Sequence, residues 1–183
     1  MGLANEQPRN DLEMKNIQKE VDKLEEEHER SIHDGKKLLD KAESELSDIK
    51  LVQPSSNSNI NKHLNQQTNS IESWFDNNID NCREYIGNLN NSQEKLSKLS
   101  PQYILPENLA QYQRRIDNLD RRCDELEDNG EDYLEKLKIE AEEQQDIEKK
   151  LQECKKLIEH NTLDSVKKAS DLAEKLEVNL HCG

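Results

Sequence analysis

The stretch "RRIDNLDRRCDELEDNGEDYLEKL", residues 114–137, decides how this chain folds. Ile116, Leu119, Cys123, Leu126, Gly130, Tyr133 and Leu137 recur at alternating steps of three and four, the seam of a helix that packs along other helices. The same steps run from Leu109 to Ile158, seven heptads without interruption. In a parallel homodimer each seam residue stacks on its own copy, so Gly130 would leave a void. In an antiparallel three-helix bundle Gly130 can instead face a large residue on a neighbouring helix. Trp74, Phe75 and Tyr133 are the candidates for that bulk. The stretch therefore reads as an intramolecular bundle helix.

Composition agrees with a bundle of few, long elements. With 36% charged and 31% hydrophobic residues and a mean hydropathy of −1.15, the chain has the bulk statistics of a disordered protein. Periodicity argues otherwise, because a narrow helical seam needs few apolar residues. Five Gly and four Pro in 183 residues leave room for few turns, and no strands are expected.

Working outward, residues 1–9 are expected to be disordered and a first helix to span about 10–52, with Asn10 or Asp11 as its cap. Its seam is Met14, Ile17, Val21, Leu24, His28, Ser31, Gly35, Leu38, Ala42, Glu45 and Ile49. A second row, Ile32, Leu39 and Leu46, sits one residue further on, so this helix faces two neighbours in its second half. "QPSSNSN", 53–59, is a loop. A second helix, about 60–99, turns Ile60, Leu64, Ile71, Trp74, Phe75, Ile79, Cys82, Ile86, Leu89, Leu96 and Leu99 inward, with Asn and Gln outside. Tyr103, Ile104 and Leu105 form a connector across the bundle end. Pro106 opens a third helix, about 107–160. "EHNTLDS" is expected to interrupt it near residue 161, before a short helix over 163–180. The domain reading is a three-helix bundle over 10–137, then an extension of the third helix and the short helix over 138–183.

The motif "SIESWFDNNIDNCREYI", 70–86, resembles the Trp-containing helix of spectrin repeats. "YQRRIDNLDRRCDELEDNGEDYLEKL", 112–137, is similar to their third helix, with Cys123 where that helix often carries Trp. The resemblance covers roughly residues 15–181 and is one of pattern. The chain departs from it in placing its Trp on the second helix and in having longer helices, which bears on the repeat boundaries. It looks most like repeats of giant cytoskeletal linkers of the nesprin and spectraplakin types. That implies an all-α, long antiparallel three-helix bundle whose third helix extends into a following unit. It also implies a non-enzymatic spacer that connects an organelle, the nuclear envelope or a junction to actin or microtubules. Neighbouring repeats and cytoskeletal or scaffold proteins would be the partners, in the cytoplasm.

The residues themselves point away from other classes. A net charge of −14 disfavours nucleic acid and anionic membranes, including the concave face of a membrane-curving bundle. No apolar run has the length of a signal core or a membrane span. Glu6 and the ending "NLHCG" fit neither myristoylation nor prenylation. Cys82, Cys123 and Cys154 fall on seam positions and read as reduced, buried thiols. His28, His33, His63, His160 and His181 are dispersed, and no nucleophile has a base and acid at a helical spacing, so no enzyme activity is expected. His181 and Cys182 alone are a weak metal signal, so no metal and no cofactor is expected.

Two charge features remain for partners. Residues 124–153 hold thirteen acidic and four basic side chains, a local charge of −9, which reads as a solvated helix face, with a docking face for a basic partner as the alternative. Arg114, Arg115, Arg121 and Arg122 form a compact basic cluster at heptad spacing, expected to pair with acidic residues of neighbouring helices, with contact to an acidic filament as the alternative. Trp74, Phe75, Cys82, Cys123, Leu126 and Tyr133 are the candidate packing residues. A monomer is favoured, with a homodimer as the competing arrangement. The competing function is a self-associating coiled-coil adaptor that recognises a protein partner.

Overall fold

A helix with a three-four apolar seam gains stability by covering that seam, and here helices of the same chain cover one another in a bundle. A computed structural model describes the backbone of residues 3–55 and 59–182, with side chains for 10–55 and 59–177. The elements are α1 (Leu3–Leu51), α2 (Ile60–Trp74), a π-helical turn (Phe75–Ile79), α3 (Asp80–Ser97) and α4 (Pro106–Cys182). The described residues contain no strand. The chain divides into two units, 1–136 and 137–183, and the helical bundle lies in the first.

The pairings across that bundle are specific. On α1, Ile49, Glu45, Ala42, Ser31 and His28 bond in turn to Gln67, Asn78, Trp74, Tyr85 and Gln93. On α4, Tyr112 reaches Glu25, Arg122 reaches Asp40 and Glu43, and Tyr133 lies beneath Lys50. Between α3 and α4, Arg83 bonds to Asp124 and Glu127, and Gln93 to Leu109.

Burial follows the seams closely. On α1 the buried positions are Val21, His28, Ile32, Gly35, Leu39, Ala42 and Leu46, so the face does move one residue on after about 31. On α4 they are Leu109, Tyr112, Ile116, Leu119, Cys123, Leu126, Gly130 and Leu137. Three ends differ from expectation. Met14 and Ile17 lie beyond the Gln18–Tyr103 bond that closes one end of the bundle, so nothing covers them. Leu24 and Ile60 are about half exposed, and in the connector Ile104 is buried while Leu105 faces outward.

Two boundaries are also revised. Helix α1 begins at Leu3, so residues 3–9 are helical rather than disordered, at the cost of the one backbone bond that Pro8 cannot donate. No break occurs near residue 161: α4 is continuous to Cys182 and no separate short helix exists. The reason lies in the spacing. After Ile158 the seam steps four, four and three, through Thr162, Val166 and Ala169, then resumes four and three through Ala173 and Leu176. Such a stutter shifts the apolar stripe without stopping the helix. Thr162 satisfies its hydroxyl on the Ile158 carbonyl at 2.8 Å.

The middle helical segment of the bundle, from α2 through the π turn to α3, solves a harder spacing problem. Its buried positions are Leu64, Gln67, Ile71 and Trp74, then Asn78 and Ile79 inside the π turn, then Cys82, Ile86, Leu89, Gln93 and Leu96. From Leu64 to Trp74 and from Ile79 to Leu96 every step is three or four, whereas the two apolar runs are joined by a step of five, from Trp74 to Ile79, with Asn78 buried beside Ile79. One surplus residue would rotate the second half of the seam by about 100° out of the core. The π turn absorbs it: the Asp80 amide donates to the Phe75 carbonyl, five residues back. The widened turn aims Trp74 and Phe75 at the same point on α4, and that point is Gly130. A Cβ there would lie 2.5 Å from Trp74 Cζ3 and 2.8 Å from Phe75 Cζ. Trp74 is held by its Nε1–H, which donates to the Ala42 carbonyl at 2.8 Å.

Gly130→Ala is therefore expected to destabilise unit 1 by about 1–3 kcal/mol in urea denaturation, because both rings must shift. Gly87→Ala, in a helix with nothing within 4 Å of the added Cβ, should stabilise it by about 0.5–1 kcal/mol. Equal effects at the two positions would mean that helix propensity, and not the aromatic nest, governs residue 130.

Candidate docking surface

Arg114, Arg115, Arg121 and Arg122 share one region of α4 because seven residues make nearly two turns. The bundle then assigns them different tasks. Arg122 Nη2 bonds to Asp40 Oδ1 at 2.5 Å and Glu43 Oε2 at 2.7 Å, fastening α4 to α1. Arg83 does the same from α3, to Asp124 Oδ1 at 3.0 Å and to Glu127. Half-exposed pairs of this kind contribute only about 0.2–1 kcal/mol each. They orient the helices more than they stabilise them.

Arg114 and Arg115 form no ion pair among the described residues, and Arg121 donates only to Asn118 Oδ1, at 3.2 Å on its own helix. Arg115 lines a groove of about 250 Å³ between α1 and α4, with Ile32 and Leu119 beneath it and His33, Lys36 and Arg122 around its mouth. Arg114 is exposed. The result is a basic groove with an apolar base on a chain of net charge −14. Sequence reasoning found the arginines but missed His33 and Lys36, whose place beside them depends on how α1 meets α4. Of the four arginines, Arg122 makes the expected pairing with acidic residues of a neighbouring helix, Asp40 and Glu43.

The other singled-out side chains are structural. Trp74, Cys82, Cys123 and Leu126 are buried, and Phe75 and Tyr133 are half-buried. Trp74 and Phe75 meet edge to face with centroids 5.1 Å apart. Tyr133 shares a node with Gln67, whose amide also donates to the Ile49 and Val52 carbonyls. Cys154 is exposed, against the expectation that all three seam thiols are covered. No element of unit 2 packs over it. Leu180, His181 and Cys182 lie outside the residues whose side chains are described.

His28 is 4% exposed, and its ring meets Tyr112 edge-on at 5.5 Å. Gln93 Nε2 donates to the Leu109 carbonyl at 2.8 Å, which turns Gln93 Oε1 toward His28 Nε2, also at 2.8 Å. Nε2 therefore carries the hydrogen, and Nδ1 is a buried acceptor with no partner among the described residues. The ring links three helices. A cavity of about 320 Å³ lies at this level, lined by His28, Leu24, Ser31, Ser92, Leu96 and Leu99, with Glu27 and Lys95. Among the described residues no group of three or more His, Cys, Asp or Glu side chains is placed to hold a metal, and no helix is long and apolar enough to cross a membrane.

Comparison of the chain with protein-family models, with curated proteins and with solved structures finds no match in any of the three.

Burial pushes the Cys123 thiol up to about 11 and raises that of Cys82, partly offset by Arg83 and Arg122 respectively. In the native protein at pH 8, iodoacetamide should therefore modify Cys154 while Cys82 and Cys123 stay protected until denaturant is added, read by peptide mass spectrometry. The linkage has a definite sign: above the ordinary thiol value of 9.0 the unfolded chain sheds protons that the fold retains. Stability should accordingly fall as pH rises from about 9 toward 11. Rapid modification of Cys123 in the native state would mean that the bundle core opens locally.

Proposed function

We propose that the chain is a non-enzymatic spacer and docking module of a cytoskeletal linker, built as an antiparallel, spectrin-like three-helix bundle. In this reading it works in the cytoplasm and helps to connect an organelle, the nuclear envelope or a junction to actin or microtubules. The order of the pairings supports the topology: partners on α2 and α3 rise in number as those on α1 fall, and those on α4 rise with α1. The function rests on one observation, the basic groove of Arg115, Lys36 and His33, with Arg114 and Arg121 nearby, on an otherwise acidic protein. A like-charged surface repels an acidic filament except where such a patch concentrates the opposite sign, and its apolar base adds a contact that salt does not screen.

The second reading is a coiled-coil adaptor that associates with itself. What favours it is the row of exposed apolar side chains on α4 beyond residue 138, including Ile139, Ile147, Leu151 and Ile158.

Co-sedimentation with purified actin filaments and with microtubules tests the first reading. The wild-type chain should pellet with one of them at low salt and less so as salt is raised. Arg114→Glu, Arg115→Glu and Arg121→Glu together should weaken binding by about tenfold or more. A chain that pellets with neither filament at low salt, or one whose binding ignores the triple reversal, removes the groove as the docking site.

A further inference from the structure

From residue 145 to 177 every described side chain of α4 is exposed. Ile147, Leu151 and Ile158 are each more than half exposed, Leu157 flanks them at 62%, and Cys154 lies open in the same row. Helices draw most of their stability from packing an apolar stripe, so this stripe calls for a cover. The charges beside it decide which cover fits.

With Leu151 and Ile158 at heptad position a, and Ile147 and Cys154 at d, Glu148 and Lys155 fall at e, and Glu143, Lys150 and Leu157 at g. In a parallel, in-register pair each g residue faces the following e residue of the other chain. Glu143 would then face Glu148, and Lys150 would face Lys155, so every flanking pair of charges repels. An antiparallel pair sets e against e, g against g, and a against d. Placing a two-fold axis between Gln152 and Glu153 lets Ile147 meet Ile158 and Leu151 meet Cys154, each twice, as four apolar layers. Gln144 then faces Asn161, polar on polar. Glu148 faces Lys155 of the second copy on one side, and on the other Lys150 lays its aliphatic stem along Leu157.

We infer that residues 144–161 form an antiparallel two-stranded coiled coil with a second copy of the chain. This deepens the second, self-associating reading by fixing the residues and the orientation of the pair, and it rests on that reading. The Arg114, Arg115 and Arg121 surface plays no part in it, so the filament assay and the assay below fail independently.

The test is the mass of the full chain by sedimentation equilibrium, in reductant and low salt, from roughly 1 to 300 µM, a range that spans weak protein association. The mass should rise from 21.3 kDa toward twice that value. Glu148→Lys alone and Lys155→Glu alone should each weaken association at least about fivefold, and the double reversal should restore it to within about twofold. Both side chains are exposed, and circular dichroism checks that the variants fold. A parallel pair gives the opposite result, since either single reversal would create attraction with Glu143 or Lys150 and tighten the dimer. Tightening, indifference to all three variants, or a mass that stays at 21.3 kDa throughout would each overturn the inference.

Discussion

The bundle depends on a missing methyl group. Gly130 leaves space on α4 where Trp74 and Phe75 both land, and both land there because the π turn at Phe75–Ile79 widens the helix at that level. Without the turn, one surplus residue would carry Ile79, Cys82, Ile86 and Leu89 off the core, and half of the middle helical segment would lose its seam. Without the glycine, the two rings would have no site. The Trp74 bond to Ala42, itself fully buried, extends the same knot to α1. Three helices thus meet at one level through a turn, a cavity-filling pair and a small residue.

Away from that level the core is thin, and apolar contact alone would tolerate sliding by a heptad, since one Leu or Ile layer resembles the next. Polar groups remove the ambiguity. Gln67 on the Ile49 and Val52 carbonyls, Tyr85 on the Ser31 carbonyl, and Gln93 between His28 and the Leu109 carbonyl each fit one register only. Buried amides are costly when unpaired, so a slipped register would leave several donors and acceptors without partners. The charged surface is then available for other uses. On unit 1 its acidic side chains are drawn partly into fastening Arg83 and Arg122, which leaves the basic groove around Arg115 as the region of opposite sign.

Much of this was legible in the primary structure where a single helix face decides the matter. The strict seam of α4, the shift of the α1 face toward Ile32, Leu39 and Leu46, and the need for a bulky neighbour opposite Gly130 all follow from spacing and side-chain volume. The sequence turns adjacent Trp74 and Phe75 both inward, more than one narrow stripe holds, and after Ile158 the spacing runs through two steps of four, but a broken pattern looks the same whether the helix bends, bulges or stops. Gln67, Asn78 and Gln93 were read with the outer Asn and Gln face, since polarity alone does not reveal a partner carbonyl on another helix. Arg122 and Arg115 are alike in the chain and differ only because Asp40 and Glu43 stand opposite one of them.

What the amino-acid sequence determined by itself is therefore the periodic content: long helices, a narrow core, an acidic surface and the place where a glycine must meet bulk. Periodicity is local, set by 3.6 residues per turn and by which side chains avoid water. What only the tertiary structure decided is the pairing: which amide meets which carbonyl, which arginine is taken into an ion pair, and that the surplus residue becomes a π turn. Those outcomes depend on groups tens of residues apart arriving at the same height in the bundle, and no window along the chain contains both.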